Sequence, residues 1–248
     1  MPDNGIQVLM FTHQSGNIWA DMATIIWASG LQVTAAWYIV TETDSALRQG
    51  ANVKGTIILV LRKRHTSLST YRDELGFEIS EAVKEQIESL MSLNNEVKET
   101  RHERLYNDAD LQMAGYAAAL KVLTAYDKID GKDMVSTSEA PRIKGQKTFV
   151  DELIEFAVRT AVEYLVPIGF EKSEWQNLSA EERLYLKMAD LEAQGEKSLD
   201  NYLNFAKAFG VREHTILMDD KAKANNARLK LGIEFKSSNM SGDNNFAH

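Results

Sequence analysis

Sheet-forming segments are concentrated in residues 5–64, and whatever the rest of the 248-residue chain builds must pack against them. Ile6-Gln7-Val8-Leu9-Met10-Phe11 is a short, nearly continuous apolar run of the kind shown by a strand buried on both faces. Thr12-His13-Gln14 follows at its carboxyl end, and Ser15 is placed to cap a helix. In that helix Ile18, Trp19, Met22, Ile25 and Ile26 fall at helical spacing, and Gly30 stands where it should stop. Residues 31–40, rich in β-branched and aromatic side chains, predict a second strand. After a polar loop over 41–54, residues 56–61 predict a third, ending in Arg62-Lys63-Arg64.

Strand, helix, strand predicts two parallel strands of one sheet joined by a right-handed crossover. Such a unit is too small to stand alone, because a buried central strand needs neighbours on both sides. Either a partner supplies further strands, or the helical remainder packs against the sheet in an unusual way.

Charge narrows the partners. The formal net charge of −8 argues against broad non-specific binding to nucleic acid, yet residues 1–76 hold six Lys or Arg against six Asp or Glu. The acidic excess, 22 against 30, therefore lies downstream, and the sheet-forming part is left free to face a phosphate backbone. The chain has no cysteine, which excludes disulfides and thiolate metal sites and fits a reducing cytoplasm. No long apolar run or secretory leader opens the sequence, which predicts a cytoplasmic chain with no membrane association.

Beyond the sheet segment, 65–71 is polar and predicts a linker. A helix over 80–100 carries a narrow stripe of Val83, Ile87, Leu90, Met91 and Val97 and should be mostly solvated. The strongest helical pattern runs over 107–126, capped by Asn107 or Asp108. Its small residues Ala114, Gly115, Ala117, Ala118 and Ala119 suit a core helix first and a partner-binding face second. Residues 127–147, with Asp130-Gly131, predict turn and loop. Thr148 then caps a helix over 148–165 with Leu153, Phe156, Ala157, Ala161 and Tyr164 facing inward. Ser179 and Glu182 form a capping box for a third helix, and a fourth over 198–209 ends at Gly210. The expected division is 1–76 for the sheet domain, 77–236 for a helical module and 237–248 for a polar tail.

No self-contained active site is visible. His13 stands just past the carboxyl end of a strand, where α/β sheets place function, but a structural role for its ring fits equally. In the loop over 41–54, Arg48, Gln49, Asn52 and Lys54 could contact DNA, whereas Glu42 and Asp44 would oppose a phosphate; an ordinary exposed loop has the same composition. Arg62, Lys63 and Arg64 suit a solvated strand end before a phosphate clamp. The other histidines, His65, His102, His214 and His248, show no paired metal-ligand spacing, so no metal is expected. A Gly-x-Ser-x-Gly elbow is absent as well.

The stretch Leu9-Met10-Phe11-Thr12-His13-Gln14-Ser15, then Trp19, Ser29-Gly30-Leu31-Gln32-Val33-Thr34-Ala35-Ala36-Trp37, Thr41-Glu42-Thr43 and Ile57-Ile58-Leu59-Val60-Leu61-Arg62-Lys63-Arg64 carries a resemblance. It resembles the closing part of the large bacterial and archaeal adenine-specific DNA methylases that carry the domain of unknown function DUF1156. Weaker similarity continues into Asp108-Ala109-Asp110-Leu111-Gln112-Met113-Ala114, Glu181-Glu182-Arg183-Leu184-Tyr185-Leu186 and Phe205-Ala206-Lys207-Ala208-Phe209-Gly210-Val211. The resemblance implies an α/β fold: a partial methyltransferase-like sheet of three strands and a helix, the third strand antiparallel to the rest, followed by a mainly helical module. It also implies that Thr12 and His13 line the wall near cofactor or target base, supporting the reaction without performing it.

Two departures define the expected role. An amino-methyltransferase needs a Pro-Pro-aromatic motif preceded by Asp, Asn or Ser, but the only prolines are Pro2, Pro141 and Pro167. It also needs a Gly-rich turn for S-adenosylmethionine, and no segment has one. The expectation is the C-terminal part of a methylase with no catalytic residue of its own, inactive alone and binding no cofactor alone. S-adenosylmethionine would belong to the complete enzyme, and a partner polypeptide would carry the catalytic motifs. The alternative is a non-catalytic interaction subunit that keeps a remnant sheet and docks, or self-associates, through the edge of the strand over 6–11.

Overall fold

A computed structural model describes residues 1–41, 53–101, 105–140, 147–167, 169–193, 195, 197–219, 221–224 and 226–235. The fold is α/β, and its chain contacts divide it into two compact units, one comprising Met1–Thr43 with Val53–Tyr164, the other including Leu165–His248. The division therefore falls after Tyr164, not after residue 76: the helices expected to start a separate module pack with the sheet.

The first unit is built on β1 (Gln7–Phe11), α1 (Gly16–Ala28), β2 (Leu31–Val40) and β3 (Gly55–Lys63). The sheet order is β1-β3-β2, and β3 is antiparallel to both neighbours. Strands β1 and β2 thus run in one direction, with β3 inserted between them. The register Leu9↔Leu59, Phe11↔Ile57, Ala36↔Leu59 and Tyr38↔Ile57 puts these side chains on one face; Val8, Met10, Ile58, Val60, Trp37 and Ile39 alternate onto the other. Ile57, Leu59 and Leu61 are buried on the first face, beneath α1 and the helix over Asp108–Ala125. The expectation that β1 is buried on both faces is overturned. It is an edge strand, with Val8 59% and Met10 63% exposed, because it has a neighbour on one side and a helical layer on one face.

Helix α1 buries Trp19, Ala20, Ala23, Ile26 and Trp27 and leaves Ile25 exposed, so its inward face is rotated from the expected stripe. Gly30, in the left-handed region at φ 64°, ends it as expected. Helix α2 (Arg72–Arg101) starts eight residues earlier than expected. The spacing of Leu75, Ile79, Val83, Ile87 and Leu90 keeps one narrow stripe inside, while most of the other described positions are exposed, as the sequence predicts; Met91, expected in the stripe, is 39% exposed.

Helix α3 (Asp108–Ala125) is the centre of the unit, buried from Asp108 to Leu120 and packed on α1, α2, β2 and β3. Its alanines let this happen, since a helix with neighbours all round must be slim. At its end, the Thr124 hydroxyl accepts the Val33 N–H at 2.9 Å and donates to Leu120 O at 2.8 Å. That N–H sits beside a β-bulge between Val33 and Ala35. Trp27 Nε1 donates to Tyr126 O at 2.9 Å, tying α1 to the same point.

The stretch expected as linker and loop is partly ordered by a second, small sheet of β4 (Ser69–Thr70), β5 (Lys128–Ile129) and β6 (Lys132–Asp133). Its hairpin turns at Asp130 and Gly131, φ 51° and 74°, the pair of left-handed residues a two-residue turn needs. Asp133 caps α4 (Met134–Glu139), and Thr148 with Asp151 caps α5 (Phe149–Glu163). Helix α5 buries Val150, Leu153, Ile154, Ala157 and Val162 but leaves Phe156 40% exposed, against expectation.

In the second unit, α6 (Lys172–Asn177) buries Trp175, and the Ser179–Glu182 capping box starts α7 (Ala180–Ala193) as expected. Helix α8 (Leu199–Phe209) ends at Gly210, φ 76°. Glu192 accepts the Leu229 N–H at 2.6 Å and the Tyr202 hydroxyl, fastening the irregular C-terminal segment to α7 and α8. A cavity of about 10 Å³ beside Leu184, Met188 and Leu229 is water-sized, far below a small-molecule pocket. Among the described residues no helix is long and apolar enough to cross a membrane.

Thr124→Val keeps the shape of the side chain but strands the buried Val33 N–H. It should lower unfolding free energy by about 1–3 kcal/mol in urea titration, while Thr124→Ser keeps most of the stability.

Candidate functional site

Because β1 and β2 run the same way, their carboxyl ends meet the amino end of β3 at one edge of the sheet, the edge where α/β proteins place ligands. Thr12 donates to Thr56 Oγ1 at 2.7 Å, and the Thr56 hydroxyl donates to Phe11 O at 3.3 Å. His13 Nδ1 accepts the Ser15 N–H at 2.9 Å, while His13 O accepts Trp19 Nε1 at 2.7 Å. The Trp19 ring meets Phe11 edge-on at 4.9 Å and Tyr116 at 5.8 Å. Together these contacts lock the turn from β1 into α1. The imidazole is exposed and takes up one of the free N–H groups at the helix start.

A few residues along the same edge, the wholly buried Asp110 is the junction of three elements. It accepts the Tyr38 hydroxyl from β2, the Lys54 N–H ahead of β3 at 2.8 Å and the Asn107 N–H at 2.8 Å. Asn107 Oδ1 accepts the Asp110 N–H at 3.0 Å, completing a capping box. The Tyr38 ring meets Tyr106 edge-on at 5.5 Å, and Asn94 clasps the Tyr106 backbone through both N–H and carbonyl. Gly55 is needed here: a Cβ would lie 2.2 Å from Ile39 O and 2.7 Å from the Tyr38 ring.

Burial pushes the Asp110 carboxyl up, against the lowering effect of the Tyr38, Asn107 and Lys54 hydrogen bonds. Burial, then the charge of Asp110, raises the Tyr38 phenol far above its ordinary value and keeps it a donor. With three donors on it, the carboxylate is engaged in holding the edge together. The chemistry this arrangement supports is positioning: it fixes where the chain leaves β2 and re-enters at β3.

The residues singled out in the sequence separate into two groups. Thr12, His13 and Lys54 are brought to this edge. Arg62, Lys63 and Arg64 lie at the opposite end of β3, roughly 25 Å away at ~3.3 Å per residue. Arg62 is exposed, and Lys63 pairs with Asp3 at 2.8 Å. Arg64 donates to Leu31 O at 2.7 Å and Thr124 O at 3.2 Å, with burial lowering its pKa, so its guanidinium fastens backbone. Arg48, Gln49 and Asn52 lie outside the described residues.

Sequence reasoning missed Asp110, Tyr38 and Tyr106. The capping pair Asn107 and Asp110 was the available signal, but nothing local shows that Asp110 also meets a tyrosine 72 positions away. Among the described residues no cluster of three or more His, Asp or Glu is arranged to hold a metal. No protein-family model matches the chain, and neither the curated proteins nor the solved structures yield a match.

Asp110→Ala leaves three donors without their acceptor and should cost about 3 kcal/mol in denaturant titration. The pH dependence has a definite sign. The raised folded-state pKa makes the folded chain hold this proton more tightly than the unfolded chain. That contribution is fully present below the ordinary carboxylate value, about 3.9, and is lost as pH rises through the raised folded value. Wild-type stability measured relative to Asp110→Asn should fall across that window and level off above it.

Proposed function

We propose that the chain is the C-terminal portion of an adenine-specific DNA methyltransferase that acts with a polypeptide bearing the cofactor turn and the Pro-Pro-aromatic motif, in the cytoplasm. What supports this reading is the ordered resemblance from Leu9 to Arg64, joined to a third strand antiparallel to the other two. Antiparallel β3 is the strand sense the resemblance requires, although β-strand composition alone does not specify it.

The chain has no Gly-rich turn of the kind that holds S-adenosylmethionine. At the turn after β1, the Ser15 N–H is used by His13 and the space beneath is filled by Trp19. The cofactor therefore belongs to the partner's part of the enzyme, and Thr12 and His13 stand as wall residues at the shared edge. DNA would approach that edge through Lys54. The Arg62, Lys63 and Arg64 end of β3 is too distant to join the same contact.

A second reading, a non-catalytic interaction subunit, draws on the open edge of β1. Isothermal titration of the full chain with S-adenosylmethionine should show no binding tighter than about 1 µM; tighter binding would overturn the split-enzyme reading. Methyl transfer to adenine in duplex DNA should appear only when the chain is combined with its motif-bearing partner. If that partner is fully active without it, the interaction subunit is the better account.

A further inference from the structure

The His13 imidazole makes one hydrogen bond among the described residues: its Nδ1 accepts the Ser15 N–H at 2.9 Å. A backbone N–H only donates, so Nδ1 carries no proton and the neutral ring holds its proton on Nε2. The doubly protonated ring does not suit this arrangement, because two donors would then face each other. His65 offers a comparison. Its Nε2 meets Asp3 O at 2.8 Å, and a carbonyl only accepts, so the same tautomer is present there with its proton already engaged. The His13 Nε2–H lies on the other side of an exposed ring and has no acceptor among the described residues.

That tautomer defines what the ring offers a ligand. A general base needs a nitrogen free to take a proton. Here the turn occupies Nδ1, Nε2 is already protonated, and no carboxylate among the described residues reaches the ring. What remains is a donor, held in place because Trp19 Nε1 donates to His13 O at 2.7 Å and fixes the backbone of the same residue. Among the acceptors on DNA, phosphate oxygens are the commonest partners of protein donors.

We propose that His13 is a binding residue of the shared edge: its fixed Nε2–H donates to a phosphate oxygen of DNA and takes no part in proton transfer. The identity of the acceptor rests on the methyltransferase reading, and the donor role on the ring alone.

The test is nitrogen-15 NMR of the full chain labelled at histidine, at about pH 9, above the ordinary imidazole range. Two-bond proton–nitrogen correlations should show His13 wholly as the Nε2–H tautomer, where free histidine is a mixture. Ser15→Pro removes the donated N–H at a φ of −80° that suits proline, and should return the ring to the mixture. An Nδ1–H ring, or a wild-type His13 mixed like free histidine, would overturn the proposal. Adding a short adenine-containing duplex at low salt should move the His13 ring signals and leave those of His65 in place.

His13→Asn keeps the turn, since an Asn side chain accepts the N–H two residues on, but it has no Nε2–H. It should leave the thermal midpoint unchanged and weaken duplex binding at least about tenfold. His13 signals unmoved by the duplex, or binding unaffected by His13→Asn, would overturn the contact. Methyl transfer with the motif-bearing partner decides the methyltransferase reading separately: if it is absent while the duplex still moves the His13 signals, that reading falls and this contact stands.

Discussion

Helix α3 is held against β2 at two points, and the first unit depends on that double attachment. Near its start Asp110 accepts the Tyr38 hydroxyl; near its end Thr124 accepts the Val33 N–H. Fourteen helical residues span about 21 Å and five strand residues about 17 Å, so the helix runs antiparallel to the strand at nearly matched length. Three other helices of the unit then find their place against α3: α1 through Trp19 on Tyr116, α2 through its stripe from Leu75 to Leu90, and α5. A buried carboxylate is a costly fastener. It is tolerated because three donors converge on it, from Tyr38, Lys54 and Asn107.

This arrangement makes the sheet one-sided. Helices cover the face of Leu9, Ile57 and Leu59 and leave Val8, Met10 and Trp37 in the open. One-sided cover is common for antiparallel sheets, whose open face is then polar. Here the open face is as apolar as the covered one, which is the composition of a sheet built for two layers.

The placement of charge bears on function in the same way. The basic residues of the sheet segment do not gather into one patch. Lys54 stands at the edge shared with Thr12 and His13, while Arg62, Lys63 and Arg64 stand at the far end, one of them on Asp3 and another on backbone carbonyls. A contact with DNA through the first edge would therefore draw on few cations from the sheet itself. The chain's acidic excess lies elsewhere, downstream of the sheet segment.

Local patterns in the sequence determined the elements. Alternation and β-branching marked the strands, Ser179 with Glu182 and Thr148 marked helix starts, Gly30 and Gly210 marked stops, and Asp130-Gly131 marked a turn. These read correctly because each depends on residues within a few positions of one another. The insertion of β3 between β1 and β2, the exposure of β1, the early start of α2, and the joining of α2, α3 and α5 to the same unit as the sheet were decided by the tertiary structure. So was the role of Asp110, whose partners at Tyr38 and Lys54 are distant in sequence. An apolar run reads the same whether both faces are covered or one. Only the packing around it distinguishes a strand buried on both faces from an edge strand with one face open.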